Sequence, residues 1–522
     1  MIAAALLGAA VARFLVMHVD VDAYGVPGTG TIIVDRASGH FVRRFDAGPA
    51  SEQEGWDGTH AWRADATGTA RVQGNSGERG EIVAWASALV RSIGSSAHRA
   101  RLAGADDHVV VTFGAYRHVG ALSIPARIVS TSDQNGVWTT HLRSADVPAQ
   151  LASAVFEPPK APKPDFYLDH VTRLPVSMEI GSPVLDVSVN GKRLRFLLDT
   201  GGQNVITTQA ARVAALRVVG RGIVGGGGGG TAPITYAFAD SIRVGAATMR
   251  HQPFIVLPAS SLPPVDGIVG YELLARFAAR LDMAHQTLEL APRARAFGSA
   301  VAPTRFAFID RQPQVDGAID ATRGAFSIDT GSSLTAQVPT PVVRAHQLVA
   351  RLHATVATYA SDVGGRYPIY LVRAGTMRLG SAAFSSPLLD LLMRSSGSEN
   401  STIVANVGDG ILRRWILVFD YAHQTIDFRP GGDPAGNVVR DRSGMVVVAR
   451  SNALVVRQVL TSTPAAQSAI PVGATILRVD GVAVTARDLV RVRERLRGIP
   501  GTTVRLQLAD GSVHSISLRR YL

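Results

Sequence analysis

The tripeptide Asp-Thr-Gly occurs twice in this chain of 522 residues, as Asp199-Thr200-Gly201 and Asp329-Thr330-Gly331, each at the end of an apolar run. The first run is Leu194-Arg195-Phe196-Leu197-Leu198 and the second Ala325-Phe326-Ser327-Ile328. Further segments repeat with the same spacing. Ile268–Phe277 matches Asn406–Trp415 at an offset of 138, Leu281–Leu290 matches Phe419–Phe428 at the same offset, and Ile242–Gly245 matches Met377–Gly380 at 135. A period this long is not that of a solenoid, so each copy is expected to be a unit with its own small core. The drift of a few residues is what loop insertions produce.

A single Asp-Thr-Gly is weak evidence, because aspartate and glycine together often mark an ordinary turn. Two copies in matching context are different. A carboxylate that ends a buried strand is costly unless it is paired or used. Two of them about 3 Å apart cannot both ionise, and would share one proton. Such a pair can activate water by general acid–base chemistry. Among competing hydrolytic signatures, the chain has no cysteine nucleophile, no H-E-x-x-H and no G-x-S-x-G.

Each copy resembles a retropepsin-type lobe: a strand ending in Asp-Thr-Gly, a glycine-bearing hairpin, then an apolar-apolar-Gly segment leading into a short helix. The pair resembles the pepsin-like arrangement, and the chain is most similar to bacterial aspartyl-protease family proteins that carry a PDZ domain. The resemblance covers roughly Asp165 to Leu522. It implies a mainly β fold, with two retropepsin-like β-barrel lobes (a pepsin-like pseudo-dimer), an N-terminal β-rich domain and a C-terminal PDZ domain. It implies Asp199 and Asp329 as catalytic residues. Thr200 and Thr330 would interlock beneath the dyad, Gly201 and Gly331 would let the active-site loops approach, and Ser332 would bond the neighbouring carboxylate. Gly202 departs from the family pattern of Ala, Ser or Thr and removes a donor beside Asp199. One aspartate would be the base on a water and the other, protonated, would polarise the scissile carbonyl; the pair titrates as a unit.

Gly225, Gly226, Gly227, Gly228, Gly229 and Gly230 form a run about 26 residues after the first motif, and Gly364-Gly365 lies about 35 after the second. A nucleotide-loop reading of the first run fails, because Pro233 and the β-type Ile234–Phe238 follow where a helix must start. A flexible linker is the plain alternative. The position favours a flap, which folds over substrate and reopens, and glycine permits close backbone approach.

The length implies several domains. We divide it into a signal or N-terminal apolar segment (1–18), a β-rich domain (19–157), two lobes (165–297 and 298–431) and a PDZ-like domain (443–522). The β-rich domain is read as strands such as Gly30–Asp35 and Asp107–Phe113 with one helix near Glu81–Ile93. Its Asp57–Arg63 segment resembles lipoprotein-carrier domains, and Pro158–Pro164 is a stiff spacer. The net charge of +12 is carried almost wholly by scattered arginines, without interleaved aromatics, and does not point to nucleic acid. The fourteen histidines have no ligand spacing, so neither metal nor cofactor is expected. Ile2–Ala12 is too short to span a bilayer, so no transmembrane span is expected, and it fits a signal-peptide core without the usual positive leader. Export to the periplasm or beyond is expected, as a monomer.

Within the last segment, Ser462–Gly481 resembles a bacterial PDZ domain, with Ala486–Arg497 as a helix and a hairpin at Asp510-Gly511. The resemblance implies capture of peptide C-termini as an added strand near Ser451, Asn452, Ala453 and Leu454, although that loop lacks the family's glycines. The leading reading is an aspartic endopeptidase acting on polypeptide. The rivals are a catalytically silent peptide-binding or scaffolding protein of the same fold, and lobes that face apart to pair with a second chain.

Overall fold

The computed structural model describes residues 12–74, 76–95, 98–103, 108–132, 135–160, 164–225, 231–298, 303–362, 365–393, 403–431 and 441–522. Among these residues the chain is mainly β. It begins with a ten-stranded antiparallel sheet. From Leu15 onward, strand Phe14–Ala23 alternates, burying Leu15, Met17, Val19, Val21 and Ala23 while exposing His18, Asp20 and Asp22. That period of two places one face on the core. The strand runs through the boundary expected at 18/19, so residues from Phe14 belong to the sheet. Helix Ser76–Ser92 starts five residues before the expected Glu81. It lays Ile82, Trp85, Ala86 and Leu89 on the sheet, at helical spacing, with Trp85 5.0 Å from Phe41.

Each copy of the duplication builds its own sheet around an equivalent centre. In the first, hairpin Val184–Val189/Lys192–Leu198 leads to Asp199, and Gly267–Val269 runs parallel to Lys192–Leu198. In the second, Gln312–Ile319/Thr322–Ile328 leads to Asp329, with Ile403–Val407 parallel to it. A parallel neighbour requires a long crossover. In each copy that crossover carries the glycine-bearing hairpin: Val218–Gly225/Thr231–Val244 in the first, Val356–Asp362/Gly365–Arg373 in the second.

The copies join through a six-stranded sheet in which Ala278–Asp282 pairs antiparallel with Ile416–Asp420. Arg280 lies opposite Val418, its own equivalent at the offset of 138. A local two-fold axis therefore passes between them, and the two units face each other within one chain. One continuous core spans both, from Phe196 and Leu198 to Phe326 and Ile328.

The last unit is a six-stranded sheet with helix Leu489–Leu496 and the short helix Pro464–Gln467. It does not hang free. Leu460 and Val446 join Val356, Ala360, Tyr367 and Ile369 of the second hairpin in one apolar cluster, and Ala357 N donates to Thr461 Oγ1 at 2.8 Å. The first hairpin is covered in the same way by the N-terminal sheet: Ala232, Ile234 and Tyr236 share a core with Val21, Val26 and Trp138. Among the described residues no helix is long and apolar enough to cross a membrane.

Candidate active site

The two Asp-Thr-Gly loops meet where the strands of each copy end. Asp199 N donates to Val269 O at 3.0 Å and Asp329 N to Val407 O at 2.9 Å, so each aspartate extends the parallel ladder by one residue. Thr200 and Thr330 are wholly buried and cross-bonded. Thr200 N donates to Thr330 Oγ1 (3.1 Å) and Thr330 N to Thr200 Oγ1 (3.0 Å); their hydroxyls donate to Ile328 O and Leu198 O, both at 2.8 Å. Four reciprocal bonds in a dry interior tie the loops together, and none can be lost without orphaning a buried partner. Tyr421 OH adds a bond to Thr200 O at 3.2 Å from the second copy.

The carboxyls of Asp199 and Asp329 hydrogen bond to each other. Gly201 N and Gly331 N donate to the near oxygens, at 2.7 and 2.9 Å. Glycine is required here by space: an ideal Cβ on Gly331 would lie 2.3 Å from Asp199 Cγ. Gly202 is explained in the same way, since a Cβ there would lie 2.8 Å from Asp199 Oδ2. Burial pushes both carboxyls up, and the neighbouring Asp329 pushes Asp199 further, well above the usual carboxylate range. Asp329 is held back by hydrogen bonds, the largest from Asn406.

Some expected site residues lie elsewhere or act otherwise. Ser332 stands beside the dyad, but its hydroxyl accepts from Gln337 Nε2 at 2.8 Å, and it is Asn406 Nδ2 that donates to Asp329 Oδ2, at 2.6 Å. Gly225 ends a strand of the first hairpin, paired with Thr231, while Gly226–Gly230 fall outside the described residues. Gly365 opens the partner strand of the second hairpin and Gly364 falls outside. Ser451 and Asn452 form the tight turn between Met445–Arg450 and Ala453–Val459. Ala453 and Leu454 are already paired, and the strand they begin has Met445–Arg450 on one side and Thr475–Val479 on the other. No backbone edge at Ser451–Leu454 is open to an added strand, because the chain's own Met445–Arg450 takes it.

Asn406, Gln312, Asp409 and Tyr421 were not singled out from sequence. Three carried a signal: the duplication aligns Asn406 with Ile268, Asp409 with Tyr271 and Tyr421 with Met283, polar groups against partly or wholly apolar ones. Gln312 carried none. Asp409 is buried, and burial pushes its carboxyl well up. Among the described residues no three His, Asp or Glu side chains are grouped to hold a metal ion.

Residues 185–273 match the family model described as aspartyl protease. No curated protein matches the chain significantly. Among solved structures, the chain is similar to an aspartic proteinase from Irpex lacteus, at 13% identity and TM-score 0.38, over 51% of this chain and 99% of that one. It is similar to basic 7S globulin from soybean at 13% identity and TM-score 0.33, over 51% and 96%. A retropepsin-like aspartic protease from Rickettsia conorii matches 23% of this chain and 90% of its own, at 19% identity and TM-score 0.19.

Proposed function

We propose that this chain is an aspartic endopeptidase that hydrolyses polypeptide with water activated between Asp199 and Asp329. One observation carries the reading: two half-buried carboxyls hydrogen bond to each other at the meeting point of two equivalent loops. Like charges within hydrogen-bonding reach cannot both ionise, so one proton is shared over a broad pH window. The anionic carboxyl takes a proton from water as its oxygen attacks the peptide carbonyl carbon. The protonated carboxyl donates to the carbonyl oxygen. The resulting tetrahedral diol collapses: the carboxyl that took the water proton gives it to the amine nitrogen, the C–N bond breaks, and a diol hydroxyl returns its proton to the other carboxylate. No acyl-enzyme forms.

On this reading residues 165–297 and 298–431 are the two lobes of a pepsin-like pseudo-dimer, and the hairpin Val218–Gly225/Thr231–Val244 is the flap. Residues 443–522 are a PDZ-like domain that braces the second lobe, since the strand meant to receive peptide is already paired on both sides. We read the chain as exported and monomeric, needing no cofactor.

The test is cleavage of an unfolded polypeptide by the full chain and by Asp199→Asn and Asp329→Asn. Each variant should fold and lose at least about a hundredfold in turnover. Wild-type-like cleavage by either variant would refute the mechanism. Peptide binding by the wild type without cleavage would leave the silent scaffold standing instead.

A further inference from the structure

The two halves of the dyad are not equivalent, and the difference lies in one polar side chain. Asn406 sits on strand Ile403–Val407, opposite Ser327 in the parallel ladder, and its Nδ2 lies 2.6 Å from Asp329 Oδ2. Its other end is fixed: Gln312 Nε2 donates to Asn406 Oδ1 at 3.1 Å. A carboxamide whose oxygen is occupied by one donor must turn its own N–H groups to the carboxylate. The equivalent residue in the first copy is Ile268, opposite Leu197 in the matching ladder. Its Cγ2 lies 3.4 Å from where a Gly202 Cβ would be, beside Asp199, and offers hydrocarbon only. Asp329 thus has backbone donors from Gly331 and Ser332 plus a side-chain donor, whereas Asp199 has backbone donors from Gly201 and Gly202 alone.

We propose that Asn406, braced by Gln312, is a positioning residue that decides where the shared proton resides, keeping Asp329 as the anionic base and leaving the proton on Asp199. The proposal rests on the aspartic-protease reading for its consequence, but not for its physics. A hydrogen bond to an ionised acceptor is about twice as strong as one to a neutral acceptor, so a fixed donor selects the charged form of the group it faces. The other groups facing the dyad are Asp409 on helix Asp409–Leu412, with Arg413 behind it, and the phenol of Tyr421. Burial pushes the Asp409 carboxyl well up, and the Tyr421 hydroxyl donates to Thr200 O, so it is the Asn406 Nδ2 donor that faces one carboxyl and not the other.

The experiment compares pH profiles of kcat/KM for the full-length wild type, Asn406→Leu and Gln312→Leu. Loss of the donor should move the acidic limb to higher pH by about one unit or more in Asn406→Leu. Gln312→Leu, which leaves the donor but frees its orientation, should give a smaller shift in the same direction. A fall in rate that is equal at every pH, with the acidic limb unmoved in both variants, would make Asn406 a packing residue and overturn the proposal. If the wild type cleaves nothing, the protease reading fails on its own. The Asp329 carboxyl can still be titrated by isotope-edited infrared spectroscopy, with Asp329→Asn as the blank. An Asp329 titration unmoved by Asn406→Leu overturns the proposal there, and an upward shift supports it.

Discussion

Individual side chains in this molecule earn their places by what they would leave unpaired. Glu272, on the turn of helix that follows Gly270, is buried and accepts from Asn204 N at 2.8 Å. Burial raises its carboxyl to about 7, against the opposing pull of Arg311. The folded-state pKa lies above the unfolded value, so the folded chain binds the extra proton between them. Stability from this group is therefore greatest below about 4.5 and declines as pH rises through 7. Glu272→Gln keeps an acceptor for Asn204 N and removes the titration. Its unfolding free energy should fall less than that of the wild type between pH 5 and 8, by on the order of 2 to 4 kcal/mol. Parallel curves would show that the carboxyl is not strained. Asn406 makes the contrasting point about legibility. Its mismatch with Ile268 stood in the aligned copies, yet the residue type says nothing of which atom it faces until strands 77 positions apart in sequence are laid side by side.

At the level of elements, the two glycine-bearing hairpins are where expectation and structure part. Their positions after each Asp-Thr-Gly followed from spacing, and Gly225 and Gly365 do lie at the inner ends of paired strands. Their partners did not follow. The first hairpin is held by the N-terminal sheet: Arg221 N donates to Tyr24 O at 2.6 Å, and Tyr24 stacks on Tyr236 at 5.9 Å while meeting Trp138 edge-on at 5.1 Å. A hairpin pinned along its outer face opens less readily than a free one, because opening must expose that aromatic surface. Tyr236→Ala should accelerate amide exchange across residues 218–225 and 231–237 while leaving Lys192–Leu198 protected. Exchange unchanged in the hairpin would mean that backbone bonds alone restrain it.

Across the whole molecule, the accessory units are parts of one assembly. Arg71 of the N-terminal sheet reaches the second copy, donating to Asp310 O at 2.5 Å and to Asp310 Oδ1 at 2.6 Å, with its side chain 3% exposed. Arg311 pairs with the same carboxylate at 2.7 Å, and together they hold Asp310 far below the usual carboxylate range. Arg71 is buried but Asp310 is 42% exposed, so water screens the carboxylate while the guanidinium depends on it. Arg71→Ala should therefore cost on the order of 1 kcal/mol and make the N-terminal sheet unfold ahead of the rest in urea, followed by tryptophan fluorescence. A single transition at the wild-type midpoint would show that the apolar contacts of Ala232, Ile234 and Tyr236 suffice. The C-terminal unit shares an apolar cluster with the second hairpin, so it too is packed onto the copies.

The sequence alone determined the duplication, the pair of Asp-Thr-Gly loops, the alternating strands and the residues that are equivalent between copies. Each of these is written locally, in turn chemistry and in the period of apolar residues, and survives without knowledge of any neighbour. Tertiary structure decided which faces met: that Thr200 and Thr330 interlock, that Asn406 and not the Ser332 hydroxyl is the side-chain donor to Asp329, and that each hairpin is roofed by a different domain. Those outcomes depend on contacts between residues as far apart as Arg71 and Asp310, and a hydrogen bond at that distance in sequence has no local pattern to announce it. It exists only once the apolar surfaces have packed and the polar groups they bury must find a partner.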